Sequence, residues 1–120
     1  FVGVAQLEER TANTLSYGDQ RRLEIARALA TRPKLLALDE PAAGMNPSEK
    51  VGLRDLLQRI RERGVAILLI EHDVKLVMGL CDEITVLDYG KVIVRGSPET
   101  VRSNADFVQA YLGHSHSPAR

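Results

Sequence analysis

Apolar residues recur every three or four positions in two stretches of the chain, and this spacing predicts two amphipathic helices. The first stretch contains Leu23, Ala26, Leu29 and Ala30, and the second contains Leu53, Leu56, Leu57 and Ile60. Pro33 ends the first pattern and Gly64 ends the second. The segment Asn46-Pro-Ser-Glu49 begins the second helix, with a capping amide, proline at the first helical position and an acid at the third.

Two short runs, 35–38 and 66–70, are continuously apolar, as expected of strands that are buried on both faces. The second predicted helix lies between them, which favours a parallel pair with a right-handed crossover. Residues 83–87 and 92–94 flank the turn-forming segment 88–91 and predict an antiparallel hairpin.

The remaining segments predict short helices and one unstructured end. Residues 74–80 and the segment opened by Ser97-Pro-Glu99 each suit a short helix, and a last helix has an apolar side at 107–112. Residues 1–10 suit the end of a helix. The tail 113–120 has no apolar side chains to bury, and we expect it to be disordered.

Composition narrows the class of protein. The 120 residues suffice for one modest domain, and 16 basic and 16 acidic side chains cancel, so no net field favours nucleic acid or anionic lipid. The one cysteine, Cys81, is predicted to be a small buried hydrophobe in a reducing compartment. No apolar run approaches the roughly 20 residues that span a bilayer. Because the chain opens at Phe1 without methionine or a leader, we expect it to be part of a longer protein.

Three stretches carry candidate chemistry. Ser16 and Gly18 stand ahead of an Ala- and Leu-rich helix whose first N–H groups can meet an anion, although an ordinary helix cap would look the same. Asp39 and Glu40 follow the first strand, and His72 follows the second, at the edge where ligands collect in parallel sheets. Alone, the acids could cap a turn and the histidine could be solvated. Together, the stretches indicate most of an ATPase site.

The order and spacing of Leu15-Ser-Tyr-Gly18, Asp39-Glu40-Pro41 and His72 resemble the C-terminal half of the nucleotide-binding subunit of an ATP-binding cassette (ABC) transporter. The run from Arg21 to Leu29 and the ending Ala110-Tyr-Leu-Gly113 look like the branched-chain amino-acid importer branch. The resemblance covers nearly the whole chain.

The resemblance implies an α/β architecture: part of a P-loop NTPase (ABC ATPase) fold, with parallel core strands flanked by helices and a C-terminal antiparallel hairpin. Residues 1–112 would form the C-terminal part of one nucleotide-binding domain. Within it, 1–32 would be the end of the helical subdomain and the signature helix. The core sheet and C-terminal helices would occupy 33–112, ahead of the tail.

The resemblance also implies roles for individual residues. Asp39 would hold Mg²⁺, usually through water, while Glu40 would position and activate the attacking water. His72 would be the switch histidine that hydrogen-bonds the γ-phosphate of ATP.

A second set of residues would act across a dimer. Ser16, Tyr17 and Gly18 belong to the signature motif, which contacts ATP held by the opposite protomer, and Asn46 lies in the D-loop. Tyr17 stands where glycine is common, as it does in the importer branch. Asp19 occupies a position where glutamine is usual in the family. In the D-loop, Ala43 and Asn46 occupy the positions where serine and aspartate, respectively, are usual.

The implied partners are a second ATP-binding subunit, identical or different, the transmembrane permease subunits and, indirectly, a solute-binding protein; no nucleic acid is implied. Such a subunit lies on the cytoplasmic face of the plasma membrane as a peripheral protein. Two alternatives are an ABC-type ATPase without transport and a non-catalytic interaction module with the same fold.

The phosphate loop Gly-x-x-x-x-Gly-Lys-Ser/Thr does not occur in the sequence; Gly90-Lys91 is followed by valine. We therefore expect the full-length subunit to hydrolyse ATP, and the 120 residues alone neither to bind it tightly nor to hydrolyse it. In the family the phosphate-loop strand lies beside the strand at 66–70, which predicts an uncovered apolar edge and face here and self-association. His114 and His116 lack a third ligand, so no metal site is predicted there.

Overall fold

The computed structural model describes Val2 and residues 17–112, and it places the chain in two compact units, 1–76 and 77–120. The elements in chain order are α1 Tyr17–Leu29, β1 Leu35–Asp39, α2 Pro47–Glu62, β2 Ala66–Ile70, α3 Val74–Leu80, β3 Ile84–Asp88, β4 Lys91–Gly96, α4 Pro98–Arg102, α5 Ala105–Phe107 and one stretch of π-helix, Val108–Leu112. The predictions for 1–10 and 113–120 lie outside the described residues.

The first unit is built on a parallel pair of strands. β1 and β2 pair in register from Leu35 opposite Ala66 to Asp39 opposite Ile70, which confirms the predicted parallel pair. The chain between them forms α2, the crossover helix that a parallel connection requires.

Helix α2 begins and ends where its sequence predicts. The Asn46 side chain accepts a hydrogen bond from Glu49 N at 2.8 Å, and Glu49 Oε1 accepts one from Asn46 N at 3.0 Å. This reciprocal capping box satisfies two N–H groups that the first turn would otherwise leave unpaired. Gly64, at φ +91°, follows the end of α2 in the left-handed conformation that glycine adopts without strain.

The core of this unit is the apolar side of α2. Its four inward residues, Leu53, Leu56, Leu57 and Ile60, are almost completely buried. Each fully buried aliphatic side chain stabilises the fold by about 1.5–3 kcal/mol. On α2 the buried residues are therefore those that the helical spacing predicts. On α1 the prediction is wrong in part: the fully buried side chain is Ile25, and Ala30 is exposed beyond the end of the helix.

One face of the β1–β2 pair is uncovered. Leu35, Leu68 and Ile70 remain 56%, 53% and 54% exposed. Side chains alternate between the faces of a strand, and the register places these three on the same side as Ala37 and Ala66. Within the part of the chain that the structure describes, the prediction that both strands are buried on both faces is therefore wrong, whereas the expected uncovered apolar face is confirmed.

The second unit contains the predicted antiparallel hairpin of β3 and β4, with a bulge between Val86 and Leu87. Tyr89 and Gly90 form its turn, both at positive φ, as tight hairpin turns require. Helix α4 packs on the hairpin and buries Val101, while Ser97 caps its first turn.

The last helical segment of the second unit contacts the β3–β4 hairpin. The rings of Phe107 and Tyr111 stack with their centroids 5.5 Å apart, and the Tyr111 hydroxyl donates to the carbonyl oxygen of Leu87. Cys81, predicted to be buried, is half-buried. Among the described residues, no helix has the length and apolar character needed to cross a membrane.

Candidate functional site

The tip of β1 comprises residues 39–42, which start at the last residue paired with β2 and continue beyond the strand. Glu40 N donates to the Ile70 carbonyl oxygen at 2.7 Å, one residue beyond the end of β1. Glu40 itself lies at φ +46°, in the left-handed region. For a residue with a Cβ this conformation costs about 1–2 kcal/mol. Such strain concentrates at functional sites, where the surrounding structure holds it in place.

The tip of β2, residues 71–73, carries His72 to the same edge of the sheet. His72 Nδ1 lies 2.5 Å from Glu40 Oε1, a short hydrogen bond between residues 32 positions apart. The His72 side chain is 73% exposed and that of Glu40 49% exposed, so a ligand can reach both. Asp39, also exposed, ends β1 beside them. The structure thus brings the predicted acid and histidine into direct contact.

Glu71 lies beneath this pair and its side chain is only 1% exposed. Its Oε2 accepts a hydrogen bond from Ala42 N at 2.9 Å. Its Oε1 accepts from His72 N at 3.1 Å and, at the longer distance of 3.4 Å, from Asp73 N. One buried carboxylate therefore joins the tips of β1 and β2.

Asp73 makes a second link, from the tip of β2 to α2. Its Oδ2 is 2.8 Å from Lys50 Nζ, and its Oδ1 accepts from Leu76 N in the first turn of α3. The hydrogen bond from Lys50 lowers the pKa of Asp73, helped by the Leu76 amide and the Lys50 charge. The same bond with Asp73 raises the pKa of Lys50, and the nearby charge of Glu71 adds to that shift.

A metal ion does not suit the cluster of Glu40, Glu71 and His72, although their ligand atoms lie within 4.8 Å of one another. The carboxylate of Glu71 already accepts three N–H groups. The 2.5 Å contact between His72 and Glu40 is shorter than the spacing between two ligands of one ion at about 2.0–2.1 Å each. Mg²⁺ prefers oxygen ligands and retains water, which suits exposed Asp39 better.

The start of α1 contacts the segment that leads into α2. A Cβ on Gly18 would lie 2.4 Å from Glu49 Oε2, so only glycine fits against the capping box without movement. The Tyr17 ring lies over Gly44, where an added Cβ would lie 3.4 Å from it. Gly44 is at φ +80°, which also favours glycine. Ser16 lies outside the described residues.

The predicted site residues thus fall into two contact groups. Glu40 and His72 meet at the strand tips, next to Asp39. Tyr17 and Gly18 meet the segment around Asn46, which caps α2. The strand tips can present the Glu40 carboxylate and the His72 imidazole to one solvent-accessible ligand, which suits positioning of water at a phosphate.

Sequence reasoning missed the roles of Glu71 and Lys50. Neither residue belongs to a motif that the sequence pattern singles out. The available signal was the run Glu71-His72-Asp73 directly after an apolar strand, where three polar side chains meet the open end of a sheet.

In sequence, the chain is similar to ATP-binding proteins of transporters. The sequence profile of the family described as ABC transporter matches residues 1–43. The high-affinity branched-chain amino acid transport ATP-binding proteins BraF of Pseudomonas aeruginosa and LivG of Escherichia coli are each 50% identical over 115 residues. These matches cover 95% of this chain and 45% of each relative.

Solved structures agree with the sequence matches. The ADP conformation of MJ1267, an ATP-binding cassette of an ABC transporter, superposes with a TM-score of 0.83 at 31% identity. That match covers 93% of this chain and 46% of the cassette, so the chain spans about half the length of its relatives. The resemblance predicted from the sequence is confirmed: the chain corresponds, in sequence and in fold, to the C-terminal half of an ATP-binding subunit of the ABC transporter family.

Proposed function

We propose that the chain supplies the catalytic carboxylate and the switch histidine of an ATP-hydrolysing ABC importer subunit. The observation that carries this proposal is the contact between Glu40 Oε1 and His72 Nδ1, 2.5 Å apart at the open edge of the parallel strands. These two residues are 32 positions apart in the sequence, and neither side chain is part of the hydrophobic core. Both side chains are accessible to a ligand.

Glu40 acts as the positioned base. Its carboxylate orients the water that attacks the γ-phosphate and takes a proton from it, which contributes about 10²–10⁴ in rate. His72 hydrogen-bonds a γ-phosphate oxygen through its ring. In the structure its Nδ1 is engaged by Glu40, so ATP binding requires the ring to turn or to use its other nitrogen.

Asp39 holds Mg²⁺ through water. When bound with ATP, Mg²⁺ neutralises charge on the phosphate oxygens. The exposed carboxylate of Asp39 at the end of β1 supplies oxygen ligands of the kind that this ion prefers.

Ser16, Tyr17 and Gly18 contact ATP held by the opposite protomer, and Asn46 contributes to the D-loop beside them. Gly18 is packed on Glu49, and Tyr17 on Gly44, so the start of α1 and the entry to α2 form one continuous surface. A surface of this kind suits a site that is completed when two subunits close around two nucleotides.

The full-length subunit serves an importer, and branched-chain amino acids are the proposed cargo because BraF and LivG carry that description. Its partners are a second ATP-binding subunit, identical or different, transmembrane permease subunits and, through them, a solute-binding protein. It works at the cytoplasmic face of the plasma membrane. Uptake of radiolabelled leucine by vesicles that contain the complete transporter tests the cargo; ATP-dependent uptake of another solute in place of leucine would contradict it.

The experiment that tests the enzyme proposal compares Mg²⁺-dependent phosphate release by two proteins. The full-length subunit, in which we expect a phosphate loop ahead of these residues, should hydrolyse ATP. The 120-residue chain alone should neither bind ATP tightly nor hydrolyse it, since it lacks that loop. Robust hydrolysis by the 120 residues alone, or none by the full-length subunit, would contradict the proposal.

A further inference from the structure

Glu71 is a buried carboxylate that the proposed mechanism does not use. Its side chain is 1% exposed, yet it has neither a lysine nor an arginine in ion-pair distance among the described residues. The Lys50 ammonium, which is paired with Asp73, is near enough for the charge of Glu71 to help raise its pKa, and the His72 ring has its Nδ1 3.9 Å from Glu71 Oε1. Burial of a carboxylate is unfavourable unless hydrogen bonds compensate it, so its contacts must account for its position.

Those contacts extend the sheet beyond the last backbone hydrogen bond. The parallel ladder ends with Glu40 N donating to the Ile70 carbonyl oxygen. The next link between the two strand tips is made by a side chain, with Ala42 N donating to Glu71 Oε2 at 2.9 Å. Glu71 Oε1 meanwhile accepts from His72 N, which belongs to the residue that carries the imidazole.

The carboxylate therefore fixes the backbone on both sides of the Glu40–His72 contact. On the β1 side it holds Ala42, two residues after Glu40, and on the β2 side it holds His72 itself. Ala42 is buried, so its N–H has no ready replacement from solvent. An N–H group left unpaired in such a place is destabilising, and the tip that carries it then favours another conformation in which the group is paired.

We propose that Glu71 is a positioning residue that sets the distance between the base Glu40 and the switch histidine His72. The inference rests on the proposed function of those two residues. Only a carboxylate offers two acceptor oxygens to both tips; a glutamine at position 71 presents one acceptor oxygen and one NH₂ group, which would face an N–H donor. Glu71→Gln therefore keeps the side chain's shape and loses one of its links.

The test measures ATP turnover by the full-length subunit with Glu71→Gln, at saturating and limiting ATP. Misplacement of catalytic groups by about 1 Å reduces turnover on the order of 100-fold. We expect kcat per ATP-binding site to fall on the order of 10- to 100-fold, with KM for ATP changed by no more than about twofold. Glu62→Gln, the same change at an exposed position late in α2, is the matched control and should leave turnover unaltered.

Normalisation to bound ATP separates positioning from a merely structural role. If Glu71 only stabilises the fold, Glu71→Gln lowers the number of ATP-binding sites and leaves kcat per site unchanged, which would overturn the inference. Glu71→Asp, which keeps the charge but is too short to reach both tips, should lose turnover to a similar extent. If neither variant folds, Glu71 is a structural residue and the positioning role is refuted. An inactive parent subunit would instead refute the proposed function.

Discussion

Leu68→Lys should abolish self-association of the 120-residue chain. Leu68 lies at the middle of the uncovered face, opposite Ala37 and between Leu35 and Ile70. Burial of a whole aliphatic side chain stabilises by about 1.5–3 kcal/mol, so each of the three half-exposed side chains has about 1 kcal/mol still to gain. Two copies packed face to face would gain about 6 kcal/mol from the six side chains.

That gain is of the same order as the cost of association, about 4–15 kcal/mol, so the chain should associate only at high concentration. Loss of Leu68 from both copies removes about 2 kcal/mol, which weakens the dimer roughly 30-fold before the cost of the buried charge is added. The variant should therefore be monomeric wherever the parent begins to associate.

Sedimentation velocity over a wide range of protein concentration measures this effect. Val51→Lys is the matched control, because Val51 is 51% exposed on α2 and receives the same charge away from the uncovered face. The control should associate like the parent. A parent that stays monomeric at high concentration, or a Leu68→Lys variant that associates as strongly as the parent, would refute the reasoning.

Two further predictions concern the contacts that support the site. Asn46→Ala should lower the free energy of unfolding by about 1 kcal/mol, and Asn46→Asp, which can still cap, should retain it; urea denaturation that shows equal losses would contradict the capping role. Asp73→Asn keeps a capping side chain for Leu76 and removes the charge that pairs with Lys50. Because the folded pKa of Asp73 is lowered, the pair's contribution is present above the ordinary value of 3.8 and is lost as pH falls below it. The variant should be less stable than the parent by at most about 1 kcal/mol at neutral pH, with the gap closing below that value; a gap that is constant with pH would count against the pair.

The sequence predicted the elements well where local signals and long-range packing agree. The apolar spacing of Leu53, Leu56, Leu57 and Ile60 identified the side of α2 that is buried. The Asn46–Glu49 segment specified its own hydrogen bonds, since a capping box is completed within four residues. The contact of Glu40 with His72 was also predictable in outline, because parallel strands deliver their carboxyl ends to one edge.

Features that depend on contacts between residues far apart in the sequence were harder to predict. The apolar runs of β1 and β2 indicate what the strands can bury, but not which segments cover them. In the described part of the chain Leu35, Leu68 and Ile70 stay exposed. The role of Glu71 depends on Ala42 N, 29 positions earlier, which points at it only after the chain turns at Glu40. No local pattern encodes that meeting.

The most direct test of the account is ATP occlusion by the full-length subunit with Glu40→Gln. If Glu40 activates the attacking water while His72 and the signature residues bind the phosphates, the variant should retain Mg-ATP in a stable dimer and lose turnover on the order of 10²- to 10⁴-fold. Retention of radiolabelled ATP after gel filtration, measured together with phosphate release, gives both quantities. Unchanged turnover in Glu40→Gln would contradict the assignment of Glu40 as the base, and with it the account of the site.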